Sequence, residues 1–162
     1  MNKVGLGYDI HPLVPGRRLI LGGVVIPHPA GLAGHSDGDA LIHAIVDALL
    51  GAAGEGDIGQ LFPMDPATEG ADSLGMLSVV VARLRAKGWT IVNVDSVIVT
   101  EAPKIAPWAG RMKTVLCPVL GIEPADLGIK AKTNECFGPV GEGRAIACWA
   151  VALIQKGPRD SA

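Results

Sequence analysis

The chain has 162 residues and a formal net charge of −2, and 49% of the residues are hydrophobic, 19% charged and 4% aromatic. Residues 1–162 suit a single domain with a substantial core, and the apolar composition suggests that some surface is buried against other subunits. Because there is no basic stripe and there are few aromatic side chains to stack on bases, we expect no nucleic-acid binding. The uncharged run from Ala145 to Gln155 is too short to cross a bilayer as a helix, so we expect no membrane association.

Three cysteines are present, which is an odd number, and Cys117, Cys136 and Cys148 lie far apart in the chain. They suggest ordinary thiols in a reducing compartment and neither a disulfide framework nor a cysteine-based zinc site. The N-terminal "MNKVGLGYD" has no features of a signal peptide or transit segment. We therefore expect a cytoplasmic enzyme.

Hydrophobic periodicity predicts strands and helices that alternate along the chain. In chain order they are a strand over 4–11, a hairpin around Gly22 and Gly23, a helix over 39–53, a loop over 54–66, a helix over 73–87, a strand over 90–100, a helix from Pro107 that Pro118 kinks or ends, a strand over 127–133, a loop over 134–144 and a last strand over 145–154. This order predicts a two-layer α+β fold in which helices cover one face of a mixed sheet. Since the last strand is apolar on both faces, we expect a partner subunit to cover the other face.

Asp9 and His11 are two residues apart in the first predicted strand, so their side chains project from the same face. His43 lies on the first predicted helix, with Asp39 and Asp47 four residues away on either side. Two histidines and one carboxylate form a typical open zinc site, which leaves a fourth position for water or substrate. Either Asp39 or Asp47 could then accept a hydrogen bond from His43 and fix its tautomer. The alternative is that Asp9 only orients His11 and that His43 is an ordinary packed residue.

Two loops offer groups suited to phosphate. Gly34–Asp39 presents His35 and Ser36 at a helix N-terminus, where free N–H groups favour anions, and Ser36 or Asp37 there also suits a helix cap. Lys130–Glu135 offers two ammonium groups, a hydroxyl and a carboxylate, which suit phosphates and a bridging Mg²⁺, although in isolation a solvated strand end explains the segment better. No Walker-type loop is present, which argues against an ordinary ATPase.

Nearly the whole chain resembles the family of 2-C-methyl-D-erythritol 2,4-cyclodiphosphate synthases, enzymes of non-mevalonate isoprenoid precursor biosynthesis. The matching segments are "GYDIHP", "LILGGVVIP", "GHSDGDALIHAIVDALLGAAGEGDIGQLFP", "GADS", "NVD", "EAPKIAP", "IKAKTNE" and "IACWAVALI". They stand in the family's order. The combination of "HSDGD", the helix that follows it, "GDIG" and "FP" is highly specific.

The resemblance implies a homotrimer around a central sheet-lined core, with active sites between neighbouring subunits. It implies a metal-dependent phosphorus–oxygen lyase that cyclises 4-diphosphocytidyl-2-C-methyl-D-erythritol 2-phosphate and releases CMP. In that reaction the 2-phosphate attacks the β-phosphorus of the same molecule.

Residue roles follow from the same resemblance. It implies one Zn²⁺ per subunit on Asp9, His11 and His43, a Mg²⁺ or Mn²⁺ on Glu135, and transition-state stabilisation by His35 and Thr133. The implied substrate-binding residues are Asp9, Ile10, His11, His35, Ser36, Asp57, Ile58, Gly59, Thr100, Glu101, Ala102, Pro103, Lys104, Ile105, Ala106, Lys132, Thr133, Asn134 and Glu135.

The chain departs from the family's usual pattern at two places. The loop near Met64 is one residue shorter, and Pro139, Glu142 and Arg144 stand where phenylalanine, arginine and glutamate are usual. If 142–144 is extended, its two charges share a face, so that Arg144 supplies the usual positive charge with Glu142 as its neighbour. The alternative is a solvated pair with little effect.

Two other functions remain open on the sequence. A metal-dependent phosphohydrolase would use the same zinc ligands with water in place of the internal phosphate. A non-catalytic trimer that binds isoprenoid phosphates or nucleotides is the second alternative, although it would not need both cation sites.

Overall fold

Seven strands and five helices make up the part of the chain that the structure, a computed structural model, describes, which is residues 1–65 and 70–157. The strands are β1 (Asn2–Pro15), β2 (Leu19–Leu21), β3 (Val24–Ile26), β4 (Ala30–Leu32), β5 (Trp89–Val99), β6 (Leu127–Lys132) and β7 (Ala145–Lys156). The helices are α1 (Ala40–Ala53), α2 (Ile58–Leu61), α3 (Ser73–Ala86), α4 (Ala109–Leu120) and α5 (Gly138–Gly141), with 3₁₀ turns at Ala106–Trp108 and Pro124–Asp126.

A five-stranded mixed sheet forms one layer, in the order β4-β1-β7-β5-β6, and β2 and β3 form the predicted hairpin separately. The central strand β7 pairs antiparallel with β1 and β5, whereas β5 and β6 run parallel. This arrangement confirms the predicted α+β class and mixed sheet.

Helix α1 lies across β1 at unusually short range because β1 has glycine where the two meet. An added Cβ at Gly5 would stand 2.0 Å from the carbonyl oxygen of Ala48, and one at Gly7 would stand 1.9 Å from that of Ala44. Only glycine permits such an approach of a strand to a helix backbone. The close packing brings residues of α1 next to the inward side chains of β1.

The N-terminus of α1 differs from the prediction. Neither Ser36 nor Asp37 caps the helix; the Asp39 carboxylate accepts the Ile42 N–H at 3.0 Å and also the N–H groups of Gly22 and Gly23. One carboxylate therefore caps the helix and also binds the turn between β2 and β3 to it. Helix α1 ends at Gly54, which has a left-handed backbone conformation.

Three other elements differ from the expectations. The predicted loops over 54–66 and 134–144 contain the short helices α2 and α5, which Asp57 and Phe137 precede. Pro118 does not end its helix, since α4 continues to Leu120 and stops at the left-handed Gly121. Pro118 has no N–H for the carbonyl oxygen of Thr114, so the helix continues without that one hydrogen bond and closes two residues later.

The face of the sheet opposite α1 carries large apolar side chains that are open to solvent. Val4, Leu6 and Tyr8 of β1 and Trp149 and Val151 of β7 are between 39% and 67% exposed. The last strand is therefore apolar on both faces, as predicted. Within the described residues, no helix has the length and apolar character needed to cross a membrane.

Candidate functional site

Asp9, His11 and His43 meet at the contact between β1 and α1. Oδ2 of Asp9 lies 2.8 Å from Nε2 of His11 and 2.9 Å from Nδ1 of His43, and the two ring nitrogens are 3.3 Å apart. Residues 1–65 and 70–157 contain no other group of three histidine, cysteine or carboxylate side chains this close together. The predicted clustering of these three residues is confirmed.

The donor set suits zinc. Nitrogen and oxygen ligands at about 2.0–2.1 Å in a tetrahedron stand about 3.3–3.4 Å from one another. The two histidine nitrogens already have that separation, and a shift of about 0.5 Å by the Asp9 carboxylate would bring the third ligand to it. Three such ligands would leave a tetrahedral ion with one position for a further ligand.

Electrostatics in the cluster favour an ionised aspartate and a protonated histidine when no cation is bound. Burial opposes the ionisation of Asp9, but hydrogen bonds to His11 and His43 outweigh it and hold the pKa of this carboxyl well below its usual range. The hydrogen bond to Asp9 raises the pKa of His11. Below its raised pKa, His11 therefore holds a proton that competes with a cation for the ring.

Zinc binding is expected to release a proton and to strengthen as the pH rises. Because the pKa of His11 is raised, the metal-free protein keeps its proton at higher pH than a free imidazole does, and affinity should change by roughly tenfold per pH unit below that pKa. Chelator competition between about pH 5.5 and 8 would measure this slope, since that range spans histidine titration. A pH-independent affinity would contradict the proposed ligand role of His11.

The prediction that Asp39 or Asp47 accepts a hydrogen bond from His43 is wrong. Asp39 is engaged at the helix cap, and Asp47 accepts the N–H of Ile58 at 2.8 Å. Nε2 of His43 instead lies 2.9 Å from the hydroxyl of Ser73 and 3.1 Å from that of Ser36. Ser73 is missing from the sequence-based site because a serine at the start of a helix carries no signal that it contacts a histidine of another helix.

A cavity of about 230 Å³ opens beside the cluster. The side chains that line it are Asp9, His11, His35, Ser36, His43, Ile58, Gly59, Phe62, Met64 and Met76. Nε2 of His35 is 2.7 Å from the carbonyl oxygen of Asp65. Phe62 and Met76 were not predicted here, since apolar lining residues have no signature in sequence.

Two predicted substrate contacts do not line this cavity. The Asp57 carboxylate accepts the backbone N–H of Gln60 at 2.9 Å and caps α2. Ile10 points to the opposite face of the sheet and is 40% exposed. Their neighbours Ile58 and His11 do face the cavity, so these two segments approach it through other residues.

A second cavity, of about 250 Å³, lies where β5 and β6 end. Its lining comprises Thr100, Glu101, Pro103, Lys104, Ile105, Ala106, Ala131, Lys132 and Thr133. Of the substrate-binding residues that the resemblance implies between Thr100 and Glu135, all but Ala102, Asn134 and Glu135 line this cavity, and Ala131 is an addition. Thr100 Oγ1 donates to the carbonyl oxygen of Ala102 at 2.7 Å, which folds the segment back on itself.

Beyond β6 the chain turns sharply. Glu135 and Cys136 have φ of 50° and 61°, in the left-handed region that few non-glycine residues adopt. Thr133 Oγ1 donates to Oε1 of Glu135 at 2.9 Å, and the backbone N–H of Asn134 donates to Oε1 of Glu101 at 2.8 Å. The exposed Glu135 carboxylate is thus held close to the second cavity.

The Glu142–Arg144 segment is a turn, not extended chain, because Glu142 ends α5 and Gly143 has φ of 71°. The two charges still pair, with Arg144 Nε donating to Oε2 of Glu142 at 2.7 Å. Both side chains are more than half exposed, which matches the solvated-pair alternative.

Comparison with known proteins gives one consistent result. A family model described as the YgbB family matches residues 2–155. A protein of Synechococcus sp. (strain CC9311) named 2-C-methyl-D-erythritol 2,4-cyclodiphosphate synthase is 53% identical over 156 residues, covering 94% of each chain. One of the same name from Bordetella petrii is 54% identical over 155 residues, covering 95% of this chain and 96% of its own.

Solved structures agree. A Plasmodium falciparum IspF–CDP complex superposes with a TM-score of 0.86 at 35% identity, covering 97% of both chains. The bifunctional IspDF of Campylobacter jejuni gives 0.92 at 32% identity, covering 97% of this chain and 43% of that one. The match of one family model to almost the whole length, together with relatives more than 50% identical, places this chain in the YgbB family, which includes the 2-C-methyl-D-erythritol 2,4-cyclodiphosphate synthases.

Proposed function

We propose that this protein converts 4-diphosphocytidyl-2-C-methyl-D-erythritol 2-phosphate to 2-C-methyl-D-erythritol 2,4-cyclodiphosphate and CMP, in non-mevalonate isoprenoid precursor biosynthesis. The observation that carries the proposal is the cluster of Asp9, His11 and His43 at the mouth of a cavity that also contains His35 and Ser36. The family and the names of its relatives support the same reaction.

The cluster is proposed to hold one Zn²⁺ per subunit. Bound there, zinc would supply Lewis-acid polarisation of a phosphate oxygen and a template for the substrate. Asp9 and the two histidines would hold the ion in place. His35 and Ser36 line the same cavity, so they could donate hydrogen bonds to phosphate oxygens of a bound substrate. No general base is needed, because the nucleophile is an anionic phosphate oxygen.

The second cavity is proposed to bind the cytidine end. Lys104 and Lys132 would supply positive charge toward the diphosphate, and Thr133 would supply a hydroxyl, since all three line this cavity. Phosphoryl transfer depends mainly on alignment and on neutralised charge. Holding both ends of one molecule makes ring closure intramolecular, which accounts for much of the expected rate gain.

The two cavities share no lining residue. This separation supports an active site assembled between subunits, with the metal cluster from one and the cytidine cavity from its neighbour. The exposed apolar face of β1 and β7 supports a homotrimer around a central sheet-lined core, because a patch of this kind is rarely left in water.

Light scattering in dilute neutral buffer is expected to give three times the chain mass. Leu6→Glu, on the exposed face of β1, should reduce this mass, since it places a carboxylate in the proposed interface. Val79→Glu, which alters an exposed apolar residue on α3, is the matched control and should remain trimeric. A monomeric wild type would contradict the assembly.

Glu135 is proposed to hold a Mg²⁺ or Mn²⁺ that bridges the substrate phosphates. Mg²⁺ commonly uses one or two carboxylates together with substrate phosphates, so Glu135→Gln is expected to raise the required Mg²⁺ concentration roughly tenfold or more. Zinc content should not change. Glu123→Gln, at an exposed glutamate before a 3₁₀ turn, is the control. An unchanged Mg²⁺ titration in Glu135→Gln would remove Glu135 from the site.

Incubation with the cytidine substrate, with and without chelator, followed by mass analysis tests the function. A cyclic diphosphate plus CMP, lost on chelation, supports the synthase. Free phosphate would support a zinc phosphohydrolase, and unchanged substrate bound to the protein would support the non-catalytic binder.

Residues 1–162 are proposed to form a single cyclodiphosphate synthase domain. A cytoplasmic location is proposed as well, because the described chain has three free cysteines, a state that suits a reducing compartment.

A further inference from the structure

Ser73 and Asp37 form a hydrogen-bonded chain behind His43. Ser73 is completely buried at the start of α3, and its hydroxyl lies 2.9 Å from Nε2 of His43. The same hydroxyl donates to Oδ1 of Asp37. Asp37 also accepts the backbone N–H of Ser73 at 3.1 Å and that of Asp39 at 3.2 Å, so its carboxylate is held from three sides.

The direction of these bonds decides which histidine nitrogen carries hydrogen. A serine hydroxyl has one hydrogen, and that of Ser73 is used on the Asp37 carboxylate. Toward His43 the Ser73 oxygen can therefore only accept, which requires the hydrogen to be on Nε2. Nδ1, which faces Asp9 and His11 at 2.9 and 3.3 Å, is then the nitrogen that gives up its hydrogen and offers a lone pair when a cation binds; in the metal-free cluster it hydrogen-bonds Asp9.

The same arrangement also sets the direction of the Ser36 hydroxyl. Its hydroxyl oxygen accepts the backbone N–H of Gly38 at 3.2 Å and lies 3.1 Å from Nε2 of His43. With the Nε2 hydrogen directed to Ser73, the Ser36 hydroxyl can direct its own hydrogen into the cavity that it lines. One proton arrangement thus prepares a metal ligand and a phosphate donor together.

We propose that Ser73 and Asp37 are positioning residues that fix His43 in the tautomer that binds metal through Nδ1. This inference rests on the proposed zinc site. Partners that fix the tautomer and orientation of a metal-binding histidine generally affect metal affinity by about 10–100-fold.

The test is zinc affinity, measured by competition with a chromogenic chelator on the full-length protein. Ser73→Ala removes the acceptor, and Asp37→Asn introduces an amide that can donate to Ser73 and so reverse the direction of the chain. Each is expected to weaken zinc binding by about 10–100-fold. Because the two residues act in series, the double variant should match Ser73→Ala within about twofold.

Ser78→Ala is the matched control, since Ser78 is an exposed serine of α3 whose hydroxyl donates to the carbonyl oxygen of Leu74. It should bind zinc as the wild type does. In the zinc-loaded wild type, ¹⁵N NMR of labelled histidine should show a slowly exchanging Nε2–H on His43 that is lost in Ser73→Ala. A purely structural role for Ser73 would not change this signal selectively.

Wild-type affinity in folded Ser73→Ala would overturn the proposal, and so would single-variant losses that multiply in the double variant. If Ser73→Ala does not fold, the zinc affinity of Asp37→Asn is the test, and an affinity equal to that of the wild type overturns the proposal. A wild type that binds no zinc would instead overturn the metal site itself.

Discussion

His43→Ala is expected to lose bound zinc and to reduce turnover by about a thousandfold. The metal contributes several kcal/mol of transition-state stabilisation in enzymes of this kind, and each 1.4 kcal/mol corresponds to about tenfold in rate. Asp9 and His11 alone would leave two ligands, too few for a tight site. Metal analysis of the purified protein and product formation from the cytidine substrate measure the two losses.

The fold should survive this change. His43 is almost buried, but its hydrogen-bond partners Ser36 and Ser73 keep other contacts, to the Gly38 N–H and to Asp37. His28→Ala is the matched control, because His28 is a histidine that lines neither cavity and whose Nδ1 hydrogen-bonds the backbone of Ala30. Full activity in a zinc-free His43→Ala protein would contradict the metal assignment.

The metal cluster could be predicted only in part from local periodicity. Asp9 and His11 share one face of a strand and His43 lies on an apolar helix, but it is the resemblance to the family that joins the three into one site. The acceptors for His43 could not be predicted in this way. Ser73 enters from α3, and three hydroxyl or carboxyl residues near the start of α1, Ser36, Asp37 and Asp39, compete for the same donors, so only packing decides among them.

The sheet and the longer helices could also be predicted, since each spans enough residues to show its period. The helices α2 and α5 have only four residues each, too few for a repeat to be visible. The separation of the two cavities is a tertiary property. Sequence places Thr100–Ala106 and Asp9–His11 in one reaction, but only the structure shows that they line different cavities of one chain.

Glycines at the strand–helix contact were not among the predicted site residues, yet they set the distance between Asp9 and His43. Gly5 and Gly7 precede Asp9 on the same face of β1, and Gly7 lies against the backbone of α1 near Ala44, the residue after His43. A change in this spacing would therefore alter the metal cluster directly.

Gly7→Ala is accordingly expected to destabilise the protein by about 3 kcal/mol or more and to weaken zinc binding. The new Cβ would stand 1.9 Å from the carbonyl oxygen of Ala44 and 2.7 Å from the backbone nitrogen of Ala48, and no side-chain rotation can relieve a collision between backbones. Overpacking of this kind usually costs about 1–3 kcal/mol, and more where the neighbours cannot move. The midpoint temperature of thermal unfolding should fall by about 6–12 °C for a chain of this size.

Gly51→Ala provides the control on the same helix. Gly51 is exposed in α1 and an added Cβ there meets nothing within 4 Å, so alanine should raise stability by about 0.5–1 kcal/mol through its higher helix propensity. Zinc affinity should fall in Gly7→Ala and not in Gly51→Ala, because only the first moves α1 away from β1. If Gly7→Ala melts with the wild type and binds zinc equally well, the glycine contact does not set the ligand spacing, and the distance between Asp9 and His43 must be fixed by the core on the far side of α1.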